Sequence, residues 1–231
     1  MARKNQKKQT KRKSKKLAIS RYPFPATKVA KLKYVQEVSI DINDPGLLTN
    51  GIGIHTFRAN GCYDPDYALG VGQHQPRGWN QFEALYNEYV VLGSKITFQP
   101  FPVSSTGITY SQPRYYGLVK RNEQNDPLSA TKSIGDIMET RLGQYARMPS
   151  ARTNMPRSLS TTFSHKKTFK TNPHESLKQV TVDPTHQDSV LYDCYIIPNA
   201  DADQDEPPAS CLITIEYIVM FSNPKILTKS T

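Results

Sequence analysis

The first sixteen residues, MARKNQKKQTKRKSKK, carry nine basic side chains and no acidic one. Closely spaced cations of this kind bind phosphates by releasing counterions, without reading a base sequence. Lysine, a compact hydrated charge, suits such non-specific binding better than bidentate recognition of bases. We predict that this basic arm binds nucleic acid. The alternatives are a solubilising tail or a nuclear-import signal, and an import role overlaps with binding. The predicted binding residues are Arg3, Lys4, Lys7, Lys8, Lys11, Arg12, Lys13, Lys15 and Lys16.

The positive charge of the chain is concentrated at this end. Residues 1–33 hold thirteen of the 30 basic residues and none of the 20 acidic ones, so residues 34–231 have a net charge of −3 against +10 for the whole chain. Such asymmetry indicates a polyanionic partner for the arm. The arm is too polar to fold alone. We therefore predict a basic arm and connector over residues 1–33 and one folded domain over residues 34–231.

The rest of the chain offers no recognisable catalytic motif, and we predict that the protein is not an enzyme and has no cofactor. There is no phosphate-binding loop and no nucleophile elbow. The histidines do not form a metalloprotease or nickase motif; they are His55, His74, His165, His174 and His186.

Metal binding and membrane insertion are also not expected. Asp64-Pro65-Asp66 resembles the start of a calcium loop, but Ala68 stands where a third ligand belongs, so we predict a turn held by Asp side chains. Three distant cysteines, Cys62, Cys194 and Cys211, predict reduced thiols. No secretory signal follows the basic start, and the longest strongly apolar run, 217–221, is far shorter than the ~20 residues of a membrane span.

The elements that position these residues are mostly strands. Antiparallel all-β structure is favoured because most strands lie too close together for helical crossovers, and a single eight-stranded jelly roll fits best. Alternating apolar residues predict seven strands at 38–42, 52–58, 90–98, 115–120, 159–169, 190–196 and 211–221, with an eighth near 144–148. In the third strand we expect Val90, Leu92, Ile96 and Phe98 to share one face. Short loop helices are predicted from Asn80 to Tyr89, within 133–140, and after Asn172.

Two loops are unusual in composition. Residues 60–79 contain four glycines, two prolines and the only tryptophan, and so long an irregular loop in a compact domain indicates a function. It either covers the sheet of its own subunit or packs on a neighbouring one. The intersubunit candidates are Tyr63, Asp64, Asp66, His74 and Trp79. The acidic loop 201–206 is either a solvated hairpin tip or a surface knob that contacts a receptor.

The segment Phe57 to Phe98 resembles the best-marked segment of capsid proteins from circular Rep-encoding single-stranded DNA viruses, the circovirus-like group. The matching residues are Phe57, Asn60, Tyr63-Asp64-Pro65-Asp66, His74-Gln75-Pro76-Arg77-Gly78, Leu85-Tyr86, Tyr89 and Val91-Leu92-Gly93-Ser94-Lys95-Ile96. These motifs cover about a fifth of the chain. The arm departs from the best-known circoviruses because it is short and rich in lysine.

The resemblance implies a capsid protein that assembles with itself, about sixty copies closing the smallest (T=1) icosahedral shell, and packages a single-stranded DNA genome. It also implies a virion location, passage through the host nucleus with the host import machinery, and an unidentified host receptor. Three alternatives stay open: an RNA-virus shell protein, a ribosomal or chromatin-type binding protein, and a carbohydrate-binding jelly roll. Phosphate contacts do not separate DNA from RNA unless the 2′-hydroxyl is read.

Overall fold

The computed structural model describes residues 24–41, 52–67, 74–101, 115–125, 143–148, 155–185, 187–197 and 208–226, together with positions 135 and 139. Within these residues, nine strands form two antiparallel sheets. The first sheet holds β1 (Thr27–Ile40), β3 (Tyr86–Pro100), β6 (Leu159–Ser164), β7 (Lys178–Gln179) and β9 (Ala209–Pro224). The second sheet holds β2 (Gly53–Arg58), β4 (Tyr115–Asn122), β5 (Gly143–Arg147) and β8 (Val190–Ile197). Short helices are α1 (Trp79–Leu85), α2 (His165–Phe169) and a 3-10 helix (Pro173–Ser176).

The strand order is that of a jelly roll. The first sheet runs β1-β9-β3-β6, with β7 paired to β3, and the second runs β2-β8-β4-β5. Except for β4 and β5, neighbouring strands are not consecutive in sequence, as the interleaved hairpins of a jelly roll require. The predicted all-β jelly roll is therefore confirmed.

Strand β9 provides the centre of the core. Its residues alternate, so that every second side chain lies between the two sheets and the others point to the opposite face of the sheet, where Met220 is also buried. The core-facing residues, each 0% exposed, are Ala209, Cys211, Ile213, Ile215, Tyr217, Val219 and Phe221. β9 pairs with the whole of β1 on one side, and with β3 from Tyr86 to Pro100 on the other, where the register shifts once.

Strand β8 is buried on both faces, which explains its nearly continuous apolar sequence VLYDCYII. The exception is Asp193, at 0% exposure. Its carboxylate accepts hydrogen bonds from Thr56 Oγ1 at 2.8 Å and Tyr195 Oη at 3.1 Å, and forms an ion pair with Arg121. A buried charge is tolerated because it is paired in this way.

The face predicted for the third strand is wrong. The core side chains of β3 include Val91, Ile96 and Phe98, whereas Leu92 is only partly buried. A β-bulge lies between Val91 and Gly93, where the register with β9 shifts. One extra residue reverses which alternate positions face the core, so Val91 replaces Val90 and Leu92 on that face.

The helix predicted from Asn80 to Tyr89 is also displaced. The structure begins it at Trp79, ends it at Leu85, and has Gly78 as the N-cap, with φ of 92° and no side-chain cap. Tyr86 and Tyr89 belong to β3 instead. Pairing with β9 overrides the short helical pattern.

The predicted boundary at residue 34 is wrong as well, because β1 begins at Thr27. Residues 27–33 carry three lysines and no acidic residue, which is why they were assigned to the basic arm and connector. They are held by backbone pairing to β9, from Thr27 opposite Ser222 onward. From Thr27 to the end the chain has twenty basic and twenty acidic residues, so the folded domain is neutral.

The remaining local predictions have mixed outcomes. The strands at 52–58, 115–120, 144–148, 190–196 and 211–221 are confirmed. The strand predicted over 159–169 ends at Ser164, where α2 begins. The Asn172 side chain caps the next turn through the His174 N–H at 3.2 Å, although that turn is 3-10. Ile42, most of 133–140 and the acidic loop 201–206 lie outside the described residues.

All three cysteines are free and buried. Burial raises the pKa of each thiol, that of Cys211 to about 12. The thiols are therefore protonated at neutral pH and are poor nucleophiles and metal ligands. Among the described residues, no helix has the length and apolar character needed to cross a membrane.

The alternation along β9 gives a matched test. Replacing Ile215, which is 0% exposed, with Ala should lower the free energy of unfolding by about 2–5 kcal/mol, since it leaves a cavity in the core. Replacing Ile218, which is 46% exposed on the opposite face, should change it by only about 0.5 kcal/mol. Chemical denaturation measures both, and equal losses would contradict the assignment of faces.

Candidate nucleic-acid interface and assembly loop

The nine predicted binding residues of the arm precede the described chain. The structure fixes the point at which the arm joins the folded domain. Tyr86 Oη donates a hydrogen bond to the carbonyl oxygen of Pro25 at 3.2 Å, and Thr27 then starts β1 at the edge of the first sheet. The arm therefore meets the sheet at the end where β9 finishes and β3 begins.

A basic surface follows directly from this junction. Lys31 and Lys33 of β1 and Lys95 of β3 are exposed on the solvent face of the first sheet. The register places Lys33 opposite Glu216, and Glu216 opposite Lys95. We call these three residues the lysine face. They were missed as a group, although the alternation of Lys31 and Lys33 with Leu32 and Tyr34 is a strand signal in the sequence.

Glu216 is the acidic residue at the centre of the lysine face. Its carboxylate pairs with Lys31 Nζ at 3.1 Å, and this hydrogen bond and charge, with Lys95 and Lys33 adding to them, lower its pKa. Three lysines surround one carboxylate, so the face keeps a net positive charge. Val35 and Ile218, both over 40% exposed, lie beside it.

Arg58 organises the start of the long loop after β2. Its Nη1 donates to the carbonyl oxygen of Asp64 at 2.7 Å and lies 3.3 Å from Asp64 Oδ2 and 3.7 Å from Asp183 Oδ2. The Arg58 guanidinium also stacks over the Tyr67 ring, at 4.9 Å from the centroid. The Arg58 side chain thus holds both ends of the Tyr63–Tyr67 turn against β2.

Asn60 fixes the loop to the second sheet. Its Nδ2 donates to the Asp188 carbonyl at 2.7 Å, and its Oδ1 accepts from the Val190 N–H at 2.8 Å. Next to it, the Ala59 carbonyl accepts from Ser94 Oγ. These bonds give a structural reason for the F-x-x-N spacing and for the serine in the Gly93-Ser94-Lys95 motif.

Two of the five intersubunit candidates lie inside the subunit. Trp79 is 0% exposed and packs edge-on to Tyr89 with ring centroids 4.9 Å apart. Asp66 is also 0% exposed, and both its carboxylate oxygens lie 3.0 Å from His55 Nε2. Neither side chain is accessible to a neighbouring subunit, because contacts within the chain enclose both. The prediction for these two residues is therefore corrected.

The other three candidates are closer to the surface. Tyr63 and Asp64 are partly buried in the Arg58 turn. His74 is exposed; its ring stacks on Tyr34 at 4.5 Å and its Nε2 donates to the Val35 carbonyl at 3.1 Å. The loop thus covers part of its own sheet while leaving these residues available for further contact. Over the described residues, no group of three or more His, Cys, Asp or Glu side chains is placed to hold a metal.

Asp183 is the most perturbed carboxyl of this turn. Burial raises its pKa from 3.8 to about 6, although Arg58 and the Asp64 N–H, 3.3 Å from Asp183 Oδ1, oppose the shift. Burial raises the pKa of Asp64 in the same direction. At neutral pH the turn therefore encloses two carboxylates that share one arginine.

Comparison with known proteins finds similar folds among solved structures but no similar sequence. No family model matches the chain, and no curated protein sequence is similar to it. Among solved structures, the chain superposes on that of the Macrobrachium rosenbergii nodavirus with a TM-score of 0.54 and 9% identity, covering 97% of this chain and 61% of that one. A semi-empty virus-like particle of the giant freshwater prawn nodavirus gives 0.52 and 9%, covering 91% and 100%. An empty head of turnip yellow mosaic virus gives 0.45 and 14%, covering 93% and 90%.

The two nodavirus structures share the fold over most of this chain. The chain therefore has the jelly-roll fold of viral capsid subunits. At 9% identity this likeness concerns the fold alone, and the arm, the lysine face and the Arg58 turn are features of this sequence.

The Asp183 carboxyl predicts a specific dependence of stability on pH. Its folded pKa lies above its ordinary value, so the folded state binds the proton more strongly, and the wild type gains stability as pH falls from 7.5 to 5. An Asp183→Asn variant lacks this contribution. The difference in unfolding free energy between the two should change by on the order of 1–3 kcal/mol over this range.

Thermal or urea unfolding at several pH values measures this difference. Glu175→Gln, the same carboxyl-to-amide change at an exposed position, serves as the control and should follow the wild type. If Asp183→Asn and the wild type differ by the same amount at pH 5 and pH 7.5, the assignment is contradicted.

Proposed function

We propose that the protein is a viral capsid protein that assembles with copies of itself into a small icosahedral shell and binds the packaged nucleic acid through its basic arm. The observation that carries this proposal is the separation of charge. Ten basic residues and no acidic one precede Thr27, and the jelly roll that follows is neutral. A neutral body allows like subunits to pack, while the cationic arm neutralises a polyanion. The proposed role is assembly and binding, not catalysis.

Assembly requires contacts between identical subunits. Closed symmetry with about sixty copies is the simplest arrangement for a shell of single jelly rolls. We propose that Tyr63, Asp64 and His74 contribute to these contacts, because the Arg58 turn and the stacking on Tyr34 hold them at the surface of the folded domain. Rigid presentation of this kind reduces the entropy lost on association.

The cargo has two candidates. The motifs within Phe57 to Phe98 resemble capsid proteins of single-stranded DNA viruses and support DNA. The fold comparisons support RNA instead, because nodaviruses are RNA viruses. The comparisons favour an RNA cargo, and the sequence motifs are the reason to keep DNA. Entry into the host nucleus through the import machinery belongs to the DNA alternative; an interaction of the shell with a host receptor is proposed for both.

A carbohydrate-binding jelly roll fits the fold but leaves the basic arm without a role. The other alternative is a cellular nucleic-acid-binding protein of ribosomal type. Such a protein would carry basic residues over its folded surface. The equal numbers of acidic and basic residues after Thr27 argue against it. The lysine face is compatible with both proposals: a ribosomal-type protein would bind nucleic acid with it, and in a shell we propose that it meets the packaged nucleic acid.

Electron microscopy of the purified protein tests the proposal. We expect closed round shells, and nuclease treatment of their contents distinguishes DNA from RNA. A protein that stays monomeric at every salt concentration would contradict the shell proposal and favour the cellular alternative.

Deleting residues 2–16 should remove most of the nucleic-acid affinity and leave folding intact, since the deletion ends well before Thr27. If all nine basic residues contact a single strand, the slope of log affinity against log salt should fall in magnitude by about 6. Filter binding or fluorescence anisotropy in a salt titration measures this. Replacing the nine residues with Gln at constant length is the control and should have the same effect; wild-type affinity in either variant would refute the arm's role.

A further inference from the structure

A cavity of about 200 Å³ lies beside the start of β3, under α2 and the 3-10 helix. Tyr89, Val91 and Phe169 give it an apolar lining. An apolar protein cavity of about 150 Å³ is enough to bind benzene. This one is therefore large enough for a somewhat larger planar ring.

His165 is the polar group of the cavity that has no partner. It is 2% exposed, and neither ring nitrogen has a hydrogen-bond partner in the described part of the chain. Burial lowers its pKa, so the ring is neutral at pH 7 and offers one donor and one acceptor. Natural structures rarely leave such a group unsatisfied without a reason.

Three other polar residues of the lining, Asn60, Lys178 and Asp188, have hydrogen-bond partners. Asn60 uses both ends of its amide on backbone groups, as described above. At the rim, Lys178 Nζ pairs with Asp188 Oδ2 at 3.2 Å, and Thr185 Oγ1 also donates to that oxygen. Because the two ring nitrogens point in divergent directions, a ligand in the cavity would pair with one of them, through one donor or one acceptor on an otherwise apolar, flat body.

The covering helix combines an aromatic ring with cations. Phe169 lies 5.0 Å from the His165 ring, and Lys166, Lys167 and Lys170 belong to the same short segment. Lys178 at the rim adds a fourth cation. Aromatic surfaces flanked by lysines are typical of sites that bind single-stranded nucleic acid.

The cavity lies at the end of the sheet where the arm begins. Thr27 pairs with Ser222, Ser222 with Glu88, and Glu88 with Gln179 of β7. These residues form one row across four strands, so the arm junction is three strand spacings, roughly 14 Å, from β7 beside the cavity. A single-stranded nucleic acid held by the arm is therefore close to the opening of the cavity.

We propose that this cavity holds one nucleobase of a single-stranded nucleic acid, with His165 hydrogen-bonded to the edge of the base, Phe169 against its face and the lysines of the covering segment on the flanking phosphates. The inference rests on the proposed function and extends it. The arm supplies phosphate contacts, whereas the cavity supplies a base contact on the folded domain.

Binding of five-nucleotide strands to the full-length protein tests this, with fluorescence anisotropy as the readout. Each base, in DNA and RNA form, is compared with an abasic strand of the same length and charge. The arm attracts the phosphates of base-bearing and abasic strands equally, so the ratio of the two affinities measures the contribution of the base. We expect base-bearing strands to bind at least about tenfold more tightly to the wild type.

Two variants test whether the preference for base-bearing strands arises in the cavity. His165→Leu removes the hydrogen bonds and should reduce the ratio about tenfold, while raising the melting temperature because an unpartnered buried polar group is lost. Thr171→Trp fills the exposed rim and should reduce the ratio even if His165→Leu fails to fold. Thr181→Trp adds the same bulk at an exposed position outside the lining and should leave the ratio unchanged.

The proposal would be overturned if the wild type bound base-bearing and abasic strands equally. It would also be overturned if the ratio of these affinities were unchanged in His165→Leu and Thr171→Trp. A sulfated disaccharide tests the carbohydrate-binding alternative. If it bound with higher affinity than any base-bearing strand, and if Thr171→Trp excluded it, the proposal would also be overturned. Shells that contain nucleic acid but show no base preference would remove the cavity proposal and leave the proposed function standing. Absence of shells would contradict the proposed function instead.

Discussion

The pairing of β9 with both β1 and β3 is the interaction on which the rest of the structure depends. Fourteen residue pairs join β1 to β9, and the register with β3 continues almost to the end of each strand. This pairing places seven consecutive alternate side chains of β9, from Ala209 to Phe221, in the core. It also anchors the arm at Thr27, aligns Lys33 with Glu216 and Lys95, and brings β7 and the cavity to the same end of the sheet.

Charge separation follows from that arrangement. Lys31 and Lys33 alternate with Leu32 and Tyr34 on a strand whose other face is buried, so the charge of these two lysines is directed to the solvent face of the sheet. Acidic and basic residues balance over the folded domain, which limits repulsion between copies, while the arm keeps its charge outside that balance. The buried Asp193 and Asp183 carboxylates are paired with arginines within the subunit.

Much of this fold was predictable because the period-two alternation in β9 reports burial directly, and because the nearly continuous apolar run of β8 is typical of a strand buried on both faces. The errors have physical causes. The bulge after Val91 shifts the face by one residue and leaves no mark in composition, and residues 27–33, of which only Leu32 is buried, are held to β9 by backbone pairing. Trp79 and Asp66 resembled surface residues because their partners, Tyr89 and His55, meet them only in the folded chain. The unpartnered ring of His165 likewise depends on tertiary packing, so no local pattern could indicate it.

We propose that the β1-β9-β3-β6 sheet, with the arm at its edge, presents the surface that meets the nucleic acid. A cryo-electron microscopy reconstruction of filled particles tests this, since it gives the orientation of the subunit in the shell. We expect Lys31, Lys33 and Lys95 to face the interior, with density for nucleic acid against them. A shell in which that face points outward, or is buried between neighbouring subunits, would contradict it.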